Sequence, residues 1–148
     1  MERMGTYNHI LVASNLTEDS QRVADRAQYL AKRSDAKLSI VHVVEFNPMM
    51  YGGGEFAIPL DGDLEESIQN HAKQALKVEA ERLGIPKEGQ YLQSGTTAEN
   101  LAELVNTLNV DLLVMGHHEQ HWLSSMLGST SNSVVHMMPC DVMAVHLE

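Results

Sequence analysis

Five short strand-like runs, separated by stretches of helical periodicity, constrain this chain more than any other feature. His9 to Ala13 reads HILVA, and Leu38 to Val44 reads LSIVHVV. Gln90 to Gln93 is briefer, Asp111 to Met115 reads DLLVM, and Val142 to His146 reads VMAVH. Runs this short and this apolar suit strands buried on both faces. Between the first two, Thr17 is a candidate N-cap, and Val23, Ala27, Leu30 and Ala31 form one apolar stripe until Ser34-Asp35-Ala36 breaks it. Leu64 to Leu83 is a second helix, stopped by Gly84 and Pro86. Ala98 to Leu108 is a third, with Leu101, Leu104, Val105 and Leu108 inward. Ser129 to Met137 is a fourth, with Pro139 between it and the last strand. Asn47 to Gly62 carries three consecutive glycines and two prolines and reads as a long loop.

Alternation at this spacing predicts an α/β fold: a doubly wound parallel sheet of five strands with helices on both faces. Such sheets bind ligands beyond the carboxyl ends of their strands, where the strand order reverses. The loops after the first and fourth strands are therefore the candidate sites. At 148 residues the chain suits one domain spanning positions 1 to 148. Its formal net charge of -10 opposes nucleic acid or an anionic membrane as partner, since no basic surplus exists to displace counterions. Cys140 is the single cysteine, which excludes an intrachain disulfide and suits a reducing cytoplasm. No window has the length and apolarity of a signal peptide core or a membrane span. The terminal Leu147-Glu148 pair is given no weight.

The segment after the fourth strand, Gly116 to Thr130, reads GHHEQHWLSSMLGST. Strand, glycine, loop and then Gly128-Ser129-Thr130 at a helix start is a common way to hold phosphate, because free N–H groups and the helix dipole attract anions. The same loop carries His117, His118, Glu119 and His121. If it were helical, His117 and His121 would share a face, as in some metal sites. The plainer reading has these side chains covering the sheet end or bonding to neighbours, with no metal. No GxSxG elbow accompanies Ser124, Ser125, Ser129 or Ser131, and Gly52 to Gly54 lack the Lys-Ser/Thr of a Walker loop. His42 reads as a core or half-buried histidine, and Cys140 as a packed small residue.

The opening YNHILVA, the strand ending in VHV, the segment VDLLVMGHH and the closing MPCDVMAVHL together resemble the universal stress protein family. The likeness covers nearly the whole chain, with its elements in order. GHH followed by a tryptophan, Trp122, is most similar to the A-type branch. The resemblance implies strand order 3-2-1-4-5 and a homodimer in which the fifth strands, here Val142 to His146, pair across the two-fold axis. Independently, an uncharged apolar edge strand is an aggregation hazard unless it is covered, and a closed dimer covers it.

One branch of the family binds ATP or AMP through an Asp after the first strand and a Gly-x2-Gly-x9-Gly-Ser/Thr loop after the fourth. The A-type branch lacks part of that loop and is not considered an ATP binder. Here Asn15 occupies the Asp position, and an amide still offers hydrogen bonds to adenine. Gly116 is the first loop glycine, Glu119 replaces the second, and Gly128-Ser129 closes a loop one residue short. The Glu119 charge repels phosphate by roughly 1 to 4 kcal/mol at about 4 Å. Val43 sits where the family packs adenine, and Ser129 and Thr130 bring hydroxyls and helix-start N–H groups. The chain therefore reads as a non-catalytic, cytoplasmic, homodimeric stress-response protein of the A type, with no cofactor. The alternative is an ATP- or AMP-binding member with a degenerate phosphate loop, a weak nucleotide or anion site at Asn15, Val43, Gly116, Gly128, Ser129 and Thr130, and slow hydrolysis. A third reading is a metal-assisted hydrolase centred on the histidine loop.

Overall fold

The computed structural model describes residues 6–44, 62–118 and 130–147. Strand β1 (His9–Ala13) leads through helix α1 (Glu18–Ser34) to β2 (Lys37–Val44). Helix α2 (Gly62–Leu83) and a 3-10 turn (Lys87–Gly89) precede β3 (Gln90–Ser94). Helix α3 (Thr97–Leu108) is followed by β4 (Leu112–His118), α4 (Thr130–Met137) and β5 (Asp141–Leu147). All the strand pairs are parallel, and the order is β3-β2-β1-β4-β5. The expected α/β architecture and strand order hold. The loop expected over Asn47 to Gly62 lies outside the described residues, apart from Gly62, which opens α2.

Two apolar cores follow from strand alternation. Ile10, Val12, Ile40, Leu112 and Val114 face α1 and α2, where Val23, Ala24, Ala27, Leu76 and Ala80 meet them. Leu11, Val41, Leu113 and Met115 face the other way, against Leu101, Leu104 and Val105 of α3 and Val134 of α4. Small residues on the inner stripe of α1 let that helix lie close to the sheet. Both α1 and α3 end on a left-handed residue, Asp35 (φ 54°) and Asn109 (φ 55°), short polar side chains that tolerate this conformation.

The strand entrances are pinned by polar groups. The Asp111 carboxylate accepts the N–H groups of Asn8 (2.9 Å) and His9 (3.0 Å), joining the starts of β1 and β4. His9 is buried. Its Nδ1 lies 3.1 Å from the Leu108 carbonyl, which can only accept, so Nδ1 carries the proton and Nε2 accepts from the Ser39 hydroxyl at 2.8 Å. Arg82 bridges α2 to α1, donating to Glu79 at 2.7 Å and Asp25 at 2.8 Å.

Most boundaries fall within two residues of expectation, but the carboxyl end of β4 does not. Strand β4 does not end at Met115 but runs to His118, because β5 keeps pairing with it through Gly116↔Val145, His117↔His146 and His118↔Leu147. Strand β5 in turn runs from Asp141 to Leu147, and Leu147, given no weight in the sequence, is buried in the α1-side core. His117 therefore lies in a strand, so the helical spacing that would put it on one face with His121 is not available to it.

Burial holds the His9 imidazole below its usual pKa of 6.5, against the opposing pull of the Leu108 carbonyl. The unfolded chain takes up that proton near 6.5 and the native state does not, so His9 contributes stability above this pH that is lost as pH falls. Replacing it (His9→Gln) should flatten the decline in unfolding free energy between about pH 7.5 and 5.5. Urea denaturation at the two pH values measures this, and a variant with the parent's slope would refute it.

Candidate functional site

Beyond the carboxyl end of β1 the chain turns on two buried serines, Ser14 and Ser20. Ser14 N–H still reaches the Val41 carbonyl (2.9 Å), while its Oγ accepts from Leu16 N–H (3.0 Å) and donates to Ser20 Oγ (3.2 Å). The Ser20 hydroxyl accepts from Thr17 N–H (3.0 Å) and donates to the Thr17 carbonyl (2.7 Å). Thr17 is the N-cap of α1, as its sequence position suggested. This knot holds Leu16 at φ 60°, left-handed for a residue with a branched side chain. Such backbone costs about 1–2 kcal/mol and persists where its surroundings over-determine it. The result is that Asn15 is exposed at the sheet end rather than folded into the turn.

Asn15 borders a cavity of about 750 Å³ between the ends of β1 and β2 and the first half of α2. Its walls are Asn15, Leu16, His42, Val43, Val44, Ser67, Ile68, His71, Ala72 and Ala75. His42 Nδ1 donates to the Ser14 carbonyl at 2.7 Å, which fixes the ring and leaves Nε2 as the acceptor nitrogen of the neutral form. Val43 packs with Val41 on the α3 side of the sheet and reaches the cavity at the strand's end. A smaller recess of about 380 Å³ shares Val44 and Ile68 with it and is lined on its far side by Glu65, Ser94, Gly95 and Thr96. Gln69 closes part of that side by donating to Ser94 Oγ at 2.7 Å.

Of the six residues singled out in the sequence, the structure brings Asn15 and Val43 to one cavity. Thr130 is the first residue of α4. Gly128 and Ser129 lie outside the described residues, as do Glu119, His121 and Trp122. Gly116 is within β4, and its role is steric. A Cβ there would meet Leu147 Cδ1 at 2.7 Å and Val23 Cγ2 at 2.8 Å. Only glycine lets α1 and the end of β5 close over β4 at this point. Next to it, the His117 and His146 rings meet edge-to-face, with centroids 5.3 Å apart and planes at 61°. Among the described residues no group of three His, Cys, Asp or Glu is arranged to hold a metal ion. Burial pushes the Cys140 thiol up from its usual pKa, and its Sγ donates to the Asp141 carbonyl at 3.3 Å.

Sequence reasoning missed His71 and Ser67 and underrated His42. The signal was present on α2: Ser67, Ile68, His71, Ala72 and Ala75 recur at spacings of one, three, one and three residues, which is one helical face. That face lies N-terminal to the stripe carrying Leu76 and Ala80 into the core. Nothing in the sequence marks where the core stripe ends and the cavity stripe begins.

The model described as the universal stress protein family matches residues 6–146. Universal stress protein A homolog 1 of Coxiella burnetii is 42% identical over 142 residues, covering 96% of this chain and 98% of its own. Two of the solved structures that share the fold carry a nucleotide. One is a universal stress protein in complex with cAMP, 22% identical, with a TM-score of 0.63 over 96% of this chain and 98% of that chain. The other is the universal stress protein from Archaeoglobus fulgidus in complex with dAMP, 15% identical, with a TM-score of 0.59 over 96% and 98%.

The steric reading of Gly116 is testable without a ligand. Gly116→Ala should lower stability by about 1–3 kcal/mol through overpacking. In a Leu147→Ala background the same change should cost less, because one of the two obstructing methyl groups is gone while Val23 Cγ2 at 2.8 Å remains. Equal costs in both backgrounds, measured by thermal or urea unfolding, would show that packing at Leu147 does not constrain Gly116.

Proposed function

This chain belongs to the universal stress protein family, and on that premise we propose that it is a non-catalytic stress-response protein of the A type, working in the cytoplasm as a homodimer. The open β5 edge carries this reading. Strand β5 ends the sheet and pairs with β4 alone among the described strands. Val142 and Met143 are half-buried, while Ala144 and His146 are exposed. Beyond the exposed Asp141 at its start, the edge carries no Asp, Glu, Lys or Arg, which makes it a template for another strand, and a two-fold partner presenting the same edge closes it. The titratable groups nearest the sheet are held by the fold. His9 and His42 are tied to backbone carbonyls, and burial keeps Cys140 a thiol.

A second reading is favoured by the cavity shared by Asn15 and Val43. Its volume of about 750 Å³ lies in the range of small-molecule sites, roughly 300–1,000 Å³. The two solved neighbours hold cAMP and dAMP, each with a single phosphate. In this chain an adenine nucleotide would lie between Asn15 and the end of β2, with His42 Nε2 as an acceptor within the same walls. The adjoining recess carries the Glu65 carboxylate, and Glu119 stands at a loop-glycine position. Both disfavour a long phosphate tail.

Two measurements test these readings. Ala144→Asp places a charge on the exposed edge without entering the protomer core, and light scattering should show the dimer dissociating to monomers. A dimer of unchanged stability would remove β5 as the interface. Calorimetric titration with AMP and with ATP should give affinities within about tenfold of each other, and Asn15→Ala should weaken AMP by about fivefold through a lost hydrogen bond. An ATP preference beyond about a hundredfold would mean a working phosphate loop and sink the second reading.

A further inference from the structure

At the opposite end of the sheet from the nucleotide cavity, a furrow of about 750 Å³ runs between the second half of α2 and the edge strand β3. Its floor is apolar: Leu76 and Ile85 belong to the α1-side core, and Leu92 packs against it. Its rim is basic. Lys73 and Lys77 stand one turn apart on α2, and Lys87 faces them from the 3-10 turn. These are three of the five lysines in a chain whose formal net charge is -10. All three are exposed, and among the described residues none forms an ion pair. By contrast, Arg82 on the same helix is committed to Glu79 and Asp25. One carboxylate, Glu81, shares the rim with the three ammonium groups.

Leu76 and Ile85 are 4% and 5% exposed, so the apolar surface a ligand covers comes mainly from the half-buried Leu92, from Pro86 and from the lysine stems, and covering it is favourable at about 25 cal/mol per Å². Unpaired lysines around such a floor add attraction for an anion and steer its approach through an otherwise repulsive field. We propose that this furrow is a binding site for single-chain amphipathic anions, distinct from the nucleotide cavity. The apolar tail lies on Leu76, Ile85 and Leu92, and a carboxylate or phosphate head lies among Lys73, Lys77 and Lys87. Flexible lysine stems suit this, since their methylene groups cover the tail while their charges meet the head. A cationic or neutral amphiphile of equal tail length finds the same floor without the charge term.

The test uses the full chain and four tail-matched probes below their micelle concentrations: decanoate, decyl phosphate, decanol and decyltrimethylammonium. Methyl NMR should show saturable shifts of Leu76, Ile85 and Leu92 with the two anions, and at least about tenfold weaker binding of decanol and the cation. The stronger anion identifies the head group. The exposed triple substitution Lys73→Gln/Lys77→Gln/Lys87→Gln should weaken decanoate by about tenfold while leaving the methyl spectrum of the free protein in place. Raised salt should weaken the anions and leave decanol unchanged. Equal binding of all four probes, an unaffected triple variant, or shifts confined to the α2 residues Ile68, Ala72 and Ala75 at the other cavity would each overturn the proposal.

Discussion

Strands β1 and β4 leave no face to water. Ile10, Leu11, Val12, Leu112, Leu113 and Val114 are all at or within 1% of complete burial, with successive side chains feeding the cores on opposite sides of the sheet. Burying a side chain of this kind contributes about 1.5–3 kcal/mol, so six of them at the centre outweigh any single polar contact at the periphery. Two covered faces require helices on both sides, and parallel strands require crossovers to supply them. Among the described residues the irregular segments fall at the ends of the sheet. The two cavities lie there for the same reason, one at the strand exits and one at an edge-strand entrance.

The polar groups that the sheet does bury are fixed rather than free. His9 spans the Leu108 carbonyl and Ser39, Asp111 accepts two N–H groups, and Ser14 and Ser20 tie the turn that holds Leu16 left-handed. No buried side-chain nitrogen or oxygen among the described residues lacks a partner. The consequence at the strand exits is a rigid rim, with Asn15 turned outward and His42 locked to Ser14. A rim that does not need to reorganise lowers the entropic cost of holding a planar ligand. The charges nearby point the other way for phosphates, with Glu65 beside the cavity. At the far end of α2 the sign reverses, and Lys73, Lys77 and Lys87 surround the second furrow. One helix thus runs from an acidic start to a flank that carries Lys73 and Lys77.

Gly116 shows how one residue admits two physical explanations. As part of a strand–glycine–loop pattern, it suggests backbone approaching phosphate. In the fold it sits inside β4, opposite Val145, with Leu147 and Val23 against its hydrogen atoms. A glycine needed for close packing and a glycine needed for ligand approach look the same in one sequence, because both demand only the absence of Cβ. The close contact here comes from Leu147, 31 positions along the chain, so no local pattern distinguishes the two.

The sequence by itself determined the elements and their order. Period-two and period-3.6 patterning is local, and HILVA, LSIVHVV and DLLVM bury on both faces wherever they are placed. Breakers such as Asp35 and Gly84 act through their own backbone preferences, so the ends of α1 and α2 were legible, whereas the left-handed Asn109 that closes α3 was shown by the structure. Asn15 and Val43 were singled out through the family resemblance rather than by local pattern, and the fold places both at one cavity beyond the strand exits. Only the tertiary structure decided what depends on partners distant in sequence. The continuation of β4 to His118 required β5 beside it, and the burial of Leu147 required Gly116 and Val23. The entry of Ser67 and His71 into the cavity required the tilt of α2 against β2, and the gathering of three lysines required the 3-10 turn to bring Lys87 opposite α2. Local propensity specifies what each segment becomes, but contact between segments is set by packing, whose determinants are shared between residues that the sequence keeps apart.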